Sequence, residues 1–561
     1  MVGALARRLV CSPAAALGCV VIAHVLLSAL FALTLPALES YDEPGHYAYT
    51  RYITRNARLP ARGERLSEAD ESHQPPLYYA LIAPFIAWID TSDDVQATPI
   101  WATHFSIRPD AALNDFWRGG TALAIRAARI GTALLSSLSV VLTYLSMRLL
   151  SPGRPWVWLV AAGIHAFWPM FVFMSGVISN DNGVTWSGAL TLYAAARLVA
   201  HRRTPLLRDY LLAAAAAALA TLMKDSGIVQ TALLLLLSTL LAATHALKAP
   251  LRALLCWGGC VALAVALIAA GAAWSNGRSA RQLQIARRAA VNLTTTVAAQ
   301  FAAVFADRPS VSNVAETTLS TPQPHPPTEF ASQLRQEFEE FFGVFNRNSL
   351  RLPAEWYRIA EALAIIHIAL ITWRLLTTRR NDERLALLLL GSFVLSVIAA
   401  PAWRSISSGA TWLFHGRFIL PCVSAMAGIV AVTLAGLPLP LRRLLGGLTL
   451  SGLAWVSLAA PPLAVAPIFQ RPVLFVGRAE AFAPPQQDFS IIFGDGQEDY
   501  IEMVGYLLPS PHAYKGGVME VFAFWRALQP IPERYVLRLE GFSREGLVAA
   551  MIHKRRDARG V

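Results

Sequence analysis

Long apolar runs, each bounded by short polar or charged clusters, divide the first 462 positions of the chain. A run of about 17–25 residues is long enough to cross a bilayer as a helix. Eleven can be laid out, at 9–36, 121–147, 156–178, 183–200, 206–223, 227–247, 252–274, 356–376, 385–402, 416–437 and 444–462. The first carries the charge pattern of a signal peptide. Its apolar stretch exceeds the roughly 7–15 residues of one, so it is expected to be the first transmembrane helix.

Two longer polar segments interrupt this series, at 37–120 and 275–355. The first contains LYYALIAPFIAW (Leu77 to Trp88), too short to span and suited to a helix lying in the interface. The second contains the breaker-rich TPQPHPPTEF (Thr321 to Phe330) and the amphipathic QLRQEFEEFFGVF. Beyond residue 463 the period changes to alternation, as in VMEVFAFW and YVLRLEGF, with the turn signals FGDGQ and YKGG. The expected fold class is therefore a mainly α, polytopic membrane protein with about eleven transmembrane helices over 1–462. A small, sandwich-like β domain over 463–561, with about five or six strands and either minimal or cut short, is expected to follow.

Composition agrees: 55% of the 561 residues are hydrophobic and 15% charged, against roughly 25% charged in a soluble domain. The net charge of +12 does not indicate nucleic acid, because no run has the size or aromatic interleaving of such a surface. Most cations instead set orientation. With Arg7 and Arg8 inside, sixteen cations flank the inner loops, among them Arg148, Arg154, Arg197, Arg202, Arg374, Arg380 and Arg442. The short outer connections hold only Lys224, Arg404 and Arg417. Positive residues prefer the cytoplasmic side, so the N-terminus is expected inside. An odd span count then puts the C-terminal domain outside. The five cysteines lie in apolar segments, which argues against a disulfide framework or a zinc site. There is no internal repeat, P-loop, HExxH or dinucleotide glycine motif.

This layout brings remote charges to one membrane level. Asp42, Glu43 and His46, in SYDEPGHYAYTRYI, follow the first span; Asp181 (ISNDNGV) follows the third. Lys224 (LMKDSGI) and Arg404 and Arg417 (AWRSISSGATWLFHGRFILP) sit in outer turns. Each has an ordinary alternative: a solvated loop start for the acids, a structural hydrogen bond for His46, a helix N-cap for Asp181 and snorkelling for the cations. Tyr47, Tyr49, Tyr52, Tyr78 and Tyr79 fit an interfacial aromatic belt. Two acids and two or three cations at one depth point to a site. A carboxylate there can take a proton from an acceptor hydroxyl, and fixed cations can hold a departing phosphate. That set suits glycosyl transfer from a lipid phosphate better than two-carboxylate glycoside hydrolysis.

With these residues in order, the chain resembles the GT-C superfamily of polytopic glycosyltransferases, which use polyprenyl-phosphate sugars. It is most similar to bacterial relatives of the protein O-mannosyltransferases and of the lipid A aminoarabinose transferase. The matching pieces are YDEPGHYAYTRYI, HQPPLYYAL, IRAARIGTALLSSL, MSGVISNDNGV, LATLMKDSGI and GRFILP, over about residues 30 to 425. The resemblance implies Asp42 as catalytic base, with Glu43 and His46 shaping its loop and Asp181 orienting the acceptor or a metal. It implies Lys224 and Arg417, with Arg404, as contacts of the donor phosphate, and His73, Gln74 and Tyr78 as substrate-cavity residues. Where the aminoarabinose transferases place a lysine before the proline pair, this chain has Gln74. Implied partners are a polyprenyl-phosphate-linked sugar, a glycan, lipid or protein acceptor and membrane lipids; no cofactor is specified, and a divalent cation is a candidate. The competing expectation is a lipid-linked glycan flippase, polymerase or transporter, which would place its polar site at the midplane on broken helices. His24 is the clearest mid-span polar residue for it.

Overall fold

The computed structural model describes residues 12–93, 119–246, 257–268 and 327–466, with gaps at 39, 62–63, 65, 67–70, 203–205, 346–349 and 409–414, and five strands between 487 and 552. The chain forms two compact units, Met1–Arg471 and Pro472–Val561.

In the first unit, α1 (Pro13–Thr34) begins where Ser12 accepts a hydrogen bond from the Ala15 amide at 3.0 Å, with proline at its first position. Two short helices follow, α2 (Glu43–Asn56) and α3 (Leu77–Ile86), and then the 31-residue α4 (Gly120–Leu150). The pair α5 (Pro155–Ala166) and α6 (Pro169–Ser175) is bent by 62°. Pro169 cannot continue the α5 ladder, so the chain restarts as a new helix. The order continues with α7 (Asn180–Ala200), α8 (Leu207–Met223), a 3-10 turn at Asp225–Gly227, α9 (Ile228–Ala246) and α10 (Trp257–Ile268). Then come α11 (Pro327–Gly343), the hairpin β1 (Val344–Phe345) and β2 (Leu350–Arg351), α12 (Ala354–Thr377) and α13 (Asn381–Ser408). A 3-10 turn at Gly416–Cys422 leads into α14 (Val423–Ala435), and α15 (Leu439–Ala460) runs on into a π-helical turn at Pro461–Val465.

Six helical segments among the described residues are long and apolar enough to cross a membrane, or seven counting the bent α5–α6 pair. The chain is thus an integral membrane protein, and the described residues alone do not reach the expected eleven spans. The stretches at 183–200, 206–223 and 385–402 do fall on helices. However, α7 opens on Asn180, Asp181 and Asn182, α8 has only 17 residues, and α13 opens on Asp382, Glu383 and Arg384. The 252–274 stretch is described only as the 12-residue α10.

The core lies between α4, α7 and α8. Their buried faces are rich in Ala, Ser, Thr and Gly, which lets helices approach closely where apolar surface alone gives little drive for association. Gly188 on α7 shows how close: a Cβ there would lie 2.3 Å from the Pro421 carbonyl oxygen. Contact at that position seats the Gly416–Cys422 turn on α7. A smaller aromatic core joins Tyr47, Tyr49, Tyr78 and Tyr79 to Ile82, Ile86, Ala124 and Ile125. Tyr49 and Tyr79 stack at 4.0 Å. The expected aromatic belt is thus corrected for these four: they fill a core under α3 and do not face the interface.

The second unit contains an antiparallel sheet in the order β3 (Gln487–Gly494), β4 (Asp499–Leu507), β5 (Phe522–Ala527), and a separate pair, β6 (Arg538–Ser543) with β7 (Gly546–Ile552). The expected strand segments at 518–525 and 535–542 overlap β5 and β6.

Candidate functional site

Asp42 sits just before α2 with φ 47°, in the left-handed region that aspartate and asparagine tolerate better than most residues. This backbone geometry turns the chain sharply out of α1 and into α2. The Asp42 carboxylate accepts from Arg417 Nη2 at 3.1 Å. Arg417 Nε in turn lies 3.6 Å from the Asp181 carboxylate, whose other oxygen pairs with Lys224 Nζ. The structure therefore brings Asp42, Asp181, Lys224 and Arg417 into one continuous acid–cation cluster. They come from four places in the chain: the start of α2, the first turn of α7, the end of α8 and the turn before α14.

Aromatic rings frame the cations. The Arg417 guanidinium lies 4.3 Å from the Tyr41 ring and 5.1 Å from that of Phe418, and Lys224 Nζ lies 5.5 Å from Phe418. Such rings favour a cation while leaving its N–H groups open to other acceptors. Indeed, Arg417 Nε and Nη1 are buried and donate no hydrogen bond among the described residues. An arginine held this way has donors to offer to a planar or tetrahedral anion.

Glu43 adjoins Asp42 in the chain but pairs elsewhere. Its side chain is fully buried, and its oxygens take Arg129 Nε and Nη2 at 2.8 and 2.7 Å and the Ile178 amide at 3.1 Å. Arg129 also donates to the carbonyls of Ala32, Leu35 and Pro36. The pair is a buried strut between the end of α1, α4 and the α6–α7 junction. His46 is likewise buried, with Nδ1 2.9 Å from the Tyr79 hydroxyl. Burial pushes its pKa down to about 3, so it stays neutral beneath the cluster. Tyr78 is buried as well, its hydroxyl accepting from the Ser179 amide at 2.9 Å and 2.7 Å from Thr132 Oγ1. It braces α3 against α4 and α7.

His73 is exposed and Gln74 half-buried. Gln74 Oε1 accepts from Asn180 at 3.2 Å, which ties this loop to the first turn of α7. Arg404 lies on α13, and its side chain is outside the described residues.

Glu71 was not among the residues expected from the sequence. Its carboxyl group is mostly buried, and Asp42 and Asp181 act on it together with Lys224. Burial first, and then the Asp42 charge, raise its pKa to about 7. The folded state thus binds this proton more tightly than the unfolded chain. Any stability it contributes is complete below pH 4.5 and is lost as the pH rises through about 7. Glu71→Gln is expected to flatten that decline in a thermal-unfolding series from pH 4.5 to 8; an unchanged slope would remove Glu71 as its source.

Among the described residues, no group of three or more His, Cys, Asp or Glu side chains could hold a metal ion. Asp42 and Asp181 are moreover already neutralised by Arg417 and Lys224. The described residues therefore do not fit a divalent cation.

No protein-family model and no curated protein matches the sequence. Among solved structures, the chain is similar to an oligosaccharyltransferase from Archaeoglobus fulgidus in its apo form, at 14% identity and a TM-score of 0.40, over 79% of this chain and 56% of that one. It is also similar to ArnT from Cupriavidus metallidurans bound to undecaprenyl phosphate, at 15% identity and a TM-score of 0.37, over 74% of this chain and 60% of that one. The chain therefore spans between half and two thirds of the length of these two proteins.

Proposed function

We propose that this protein is an inverting glycosyltransferase that moves a sugar from a polyprenyl-phosphate donor to an acceptor hydroxyl at the external face of a bacterial inner membrane. The observation that carries this reading is Arg417: a buried guanidinium between Asp42 and Asp181, beside Lys224, whose Nε and Nη1 donate no hydrogen bond among the described residues. Asp42 takes the proton of the acceptor hydroxyl. The acceptor oxygen bonds to the anomeric carbon as the bond from that carbon to the phosphate oxygen breaks. Polyprenyl phosphate leaves with the electron pair, and Arg417 and Lys224 stabilise its charge. A phosphate needs no proton to depart, so a single base suffices. Asp181 pairs with both Lys224 and Arg417 and so holds the two cations beside one another. In this reading the N-terminus is cytoplasmic and the β unit external.

The test is transfer of radiolabelled sugar from a panel of polyprenyl-phosphate sugars by purified protein in lipid. Arg417→Lys keeps the charge but loses the fork that spans two oxygens. It is expected to lower kcat about 10²-fold, the range for losing one preorganised donor at a developing anion. Unchanged kcat in that variant would remove Arg417 from the leaving-group site.

A transport reading finds one specific observation. At the α5–α6 break, His24 and His165 flank Phe171 at 4.8 and 4.5 Å, and His165 contacts Thr143 and Ser139. Polar groups at a broken helix mark substrate sites in carriers. Here, however, the His165 ring nitrogens and His24 Nδ1 face partners within the protein, so the cluster serves packing first. Movement of a lipid-linked glycan across proteoliposomes without sugar transfer would favour the transport reading.

A further inference from the structure

The end of α11 and the β1–β2 hairpin reach the neighbours of both groups that matter most. Glu340 Oε2 accepts from the Gly416 amide at 3.2 Å and lies 3.5 Å from His415 Nδ1. His415 Nδ1 itself accepts from the Arg417 amide at 3.2 Å. Four residues further along, the Val344 carbonyl accepts from the Tyr41 hydroxyl at 3.0 Å. Residues 416 and 41 immediately precede Arg417 and Asp42. The fit at 416 admits nothing larger than glycine, since a Cβ would lie 2.2 Å from the Phe341 amide nitrogen. The segment is itself fixed from behind. Trp168 Nε1 donates to the Phe341 carbonyl at 2.7 Å, and the Tyr357 hydroxyl bridges the Gly343 carbonyl and the Leu352 amide.

We propose that Glu340 is a positioning residue: by holding the Gly416 amide it fixes the backbone from which Arg417 reaches Asp42, while the adjoining hairpin holds Tyr41 in register. Its consequence for ligand binding rests on the transferase reading; the positioning itself does not. Removing the carboxylate frees the 416 amide and lets the turn before α14 rotate Arg417 away from Asp42. Gln supplies an oxygen at the same place, so a hydrogen-bonding role survives Glu340→Gln and fails in Glu340→Ala.

The experiment uses the full-length protein in lipid nanodiscs. Hydrogen exchange is expected to accelerate about tenfold in Glu340→Ala within peptides covering 415–422, the size of one charge-assisted hydrogen bond. Peptides covering 350–360 are expected to keep wild-type rates, and Glu340→Gln to stay within about twofold throughout. Binding of decaprenyl phosphate is expected to weaken about tenfold in the alanine variant and to be retained in the glutamine variant. Unchanged exchange at 415–422 in Glu340→Ala overturns the proposal, and so does a uniform rise across 327–360, which marks a purely structural role. Should the wild type bind no decaprenyl phosphate, the transferase reading fails and the exchange pattern alone decides the role of Glu340.

Discussion

Asp42→Asn is expected to lower the rate of sugar transfer by about 10²- to 10⁴-fold, the range that a positioned general base supplies. Folding is expected to persist. Asparagine has the shape of aspartate and accepts the same left-handed backbone, φ 47° at this position. Its amide oxygen can still accept from Arg417, so the geometry of the cluster survives while its basicity is lost. Alanine would be a poor choice, because it would combine the loss of the base with backbone strain. The partly exposed Asp42–Arg417 pair contributes only about 0–1 kcal/mol, so the melting temperature of the variant should stay close to the wild type. Single-turnover transfer with a saturating donor is the informative measurement, because it separates chemistry from binding. Near-normal turnover would move the base elsewhere. Glu71→Gln and Asp42→Asn, measured side by side, would then identify which carboxylate carries it, since the Glu71 carboxyl group senses the Asp42 and Asp181 charges.

The sequence marks the helices whose apolar runs are uninterrupted, such as α1, α12 and α14, because length and hydropathy alone decide them. It marks Asp42, Asp181, Lys224 and Arg417 for the converse reason: a charge beside a long apolar run stands out. What it does not show is pairing. Glu43 adjoins Asp42 and invites the same reading, yet its partner is Arg129, 86 positions away within α4. The available signal was Arg129 itself, since a cation inside an apolar run must face a partner. Glu71 lies in a polar stretch with Glu64, Glu68 and Asp70, and nothing local sets it apart; only the fold buries it near Asp42. Glu340 stands on an amphipathic helix where any glutamate passes for a solvated surface charge. Its role depends on the backbone of Gly416, which no side-chain pattern reports.

The largest effect on folding is expected at Arg129. Arg129→Met has similar length and should leave the helical propensity of α4 intact, yet it strands the Glu43 carboxylate without a countercharge in a fully buried position. Breaking a buried pair from one side costs about 3–5 kcal/mol, a large share of the roughly 5–15 kcal/mol that holds a domain folded. Little folded, monodisperse protein should therefore be recovered. Glu43→Met with Arg129→Met is the sharper test. Were the two residues only an ion pair, replacing both with apolar side chains would be close to neutral. Here Arg129 also satisfies the carbonyls of Ala32, Leu35 and Pro36, and Glu43 satisfies the Ile178 amide. Each buried group left without a partner costs about 1–3 kcal/mol. The double variant should thus remain well below the wild type in thermal unfolding. Full recovery would mean that those backbone groups find other partners, and that the chain leading from α1 to Asp42 is held by something other than this strut.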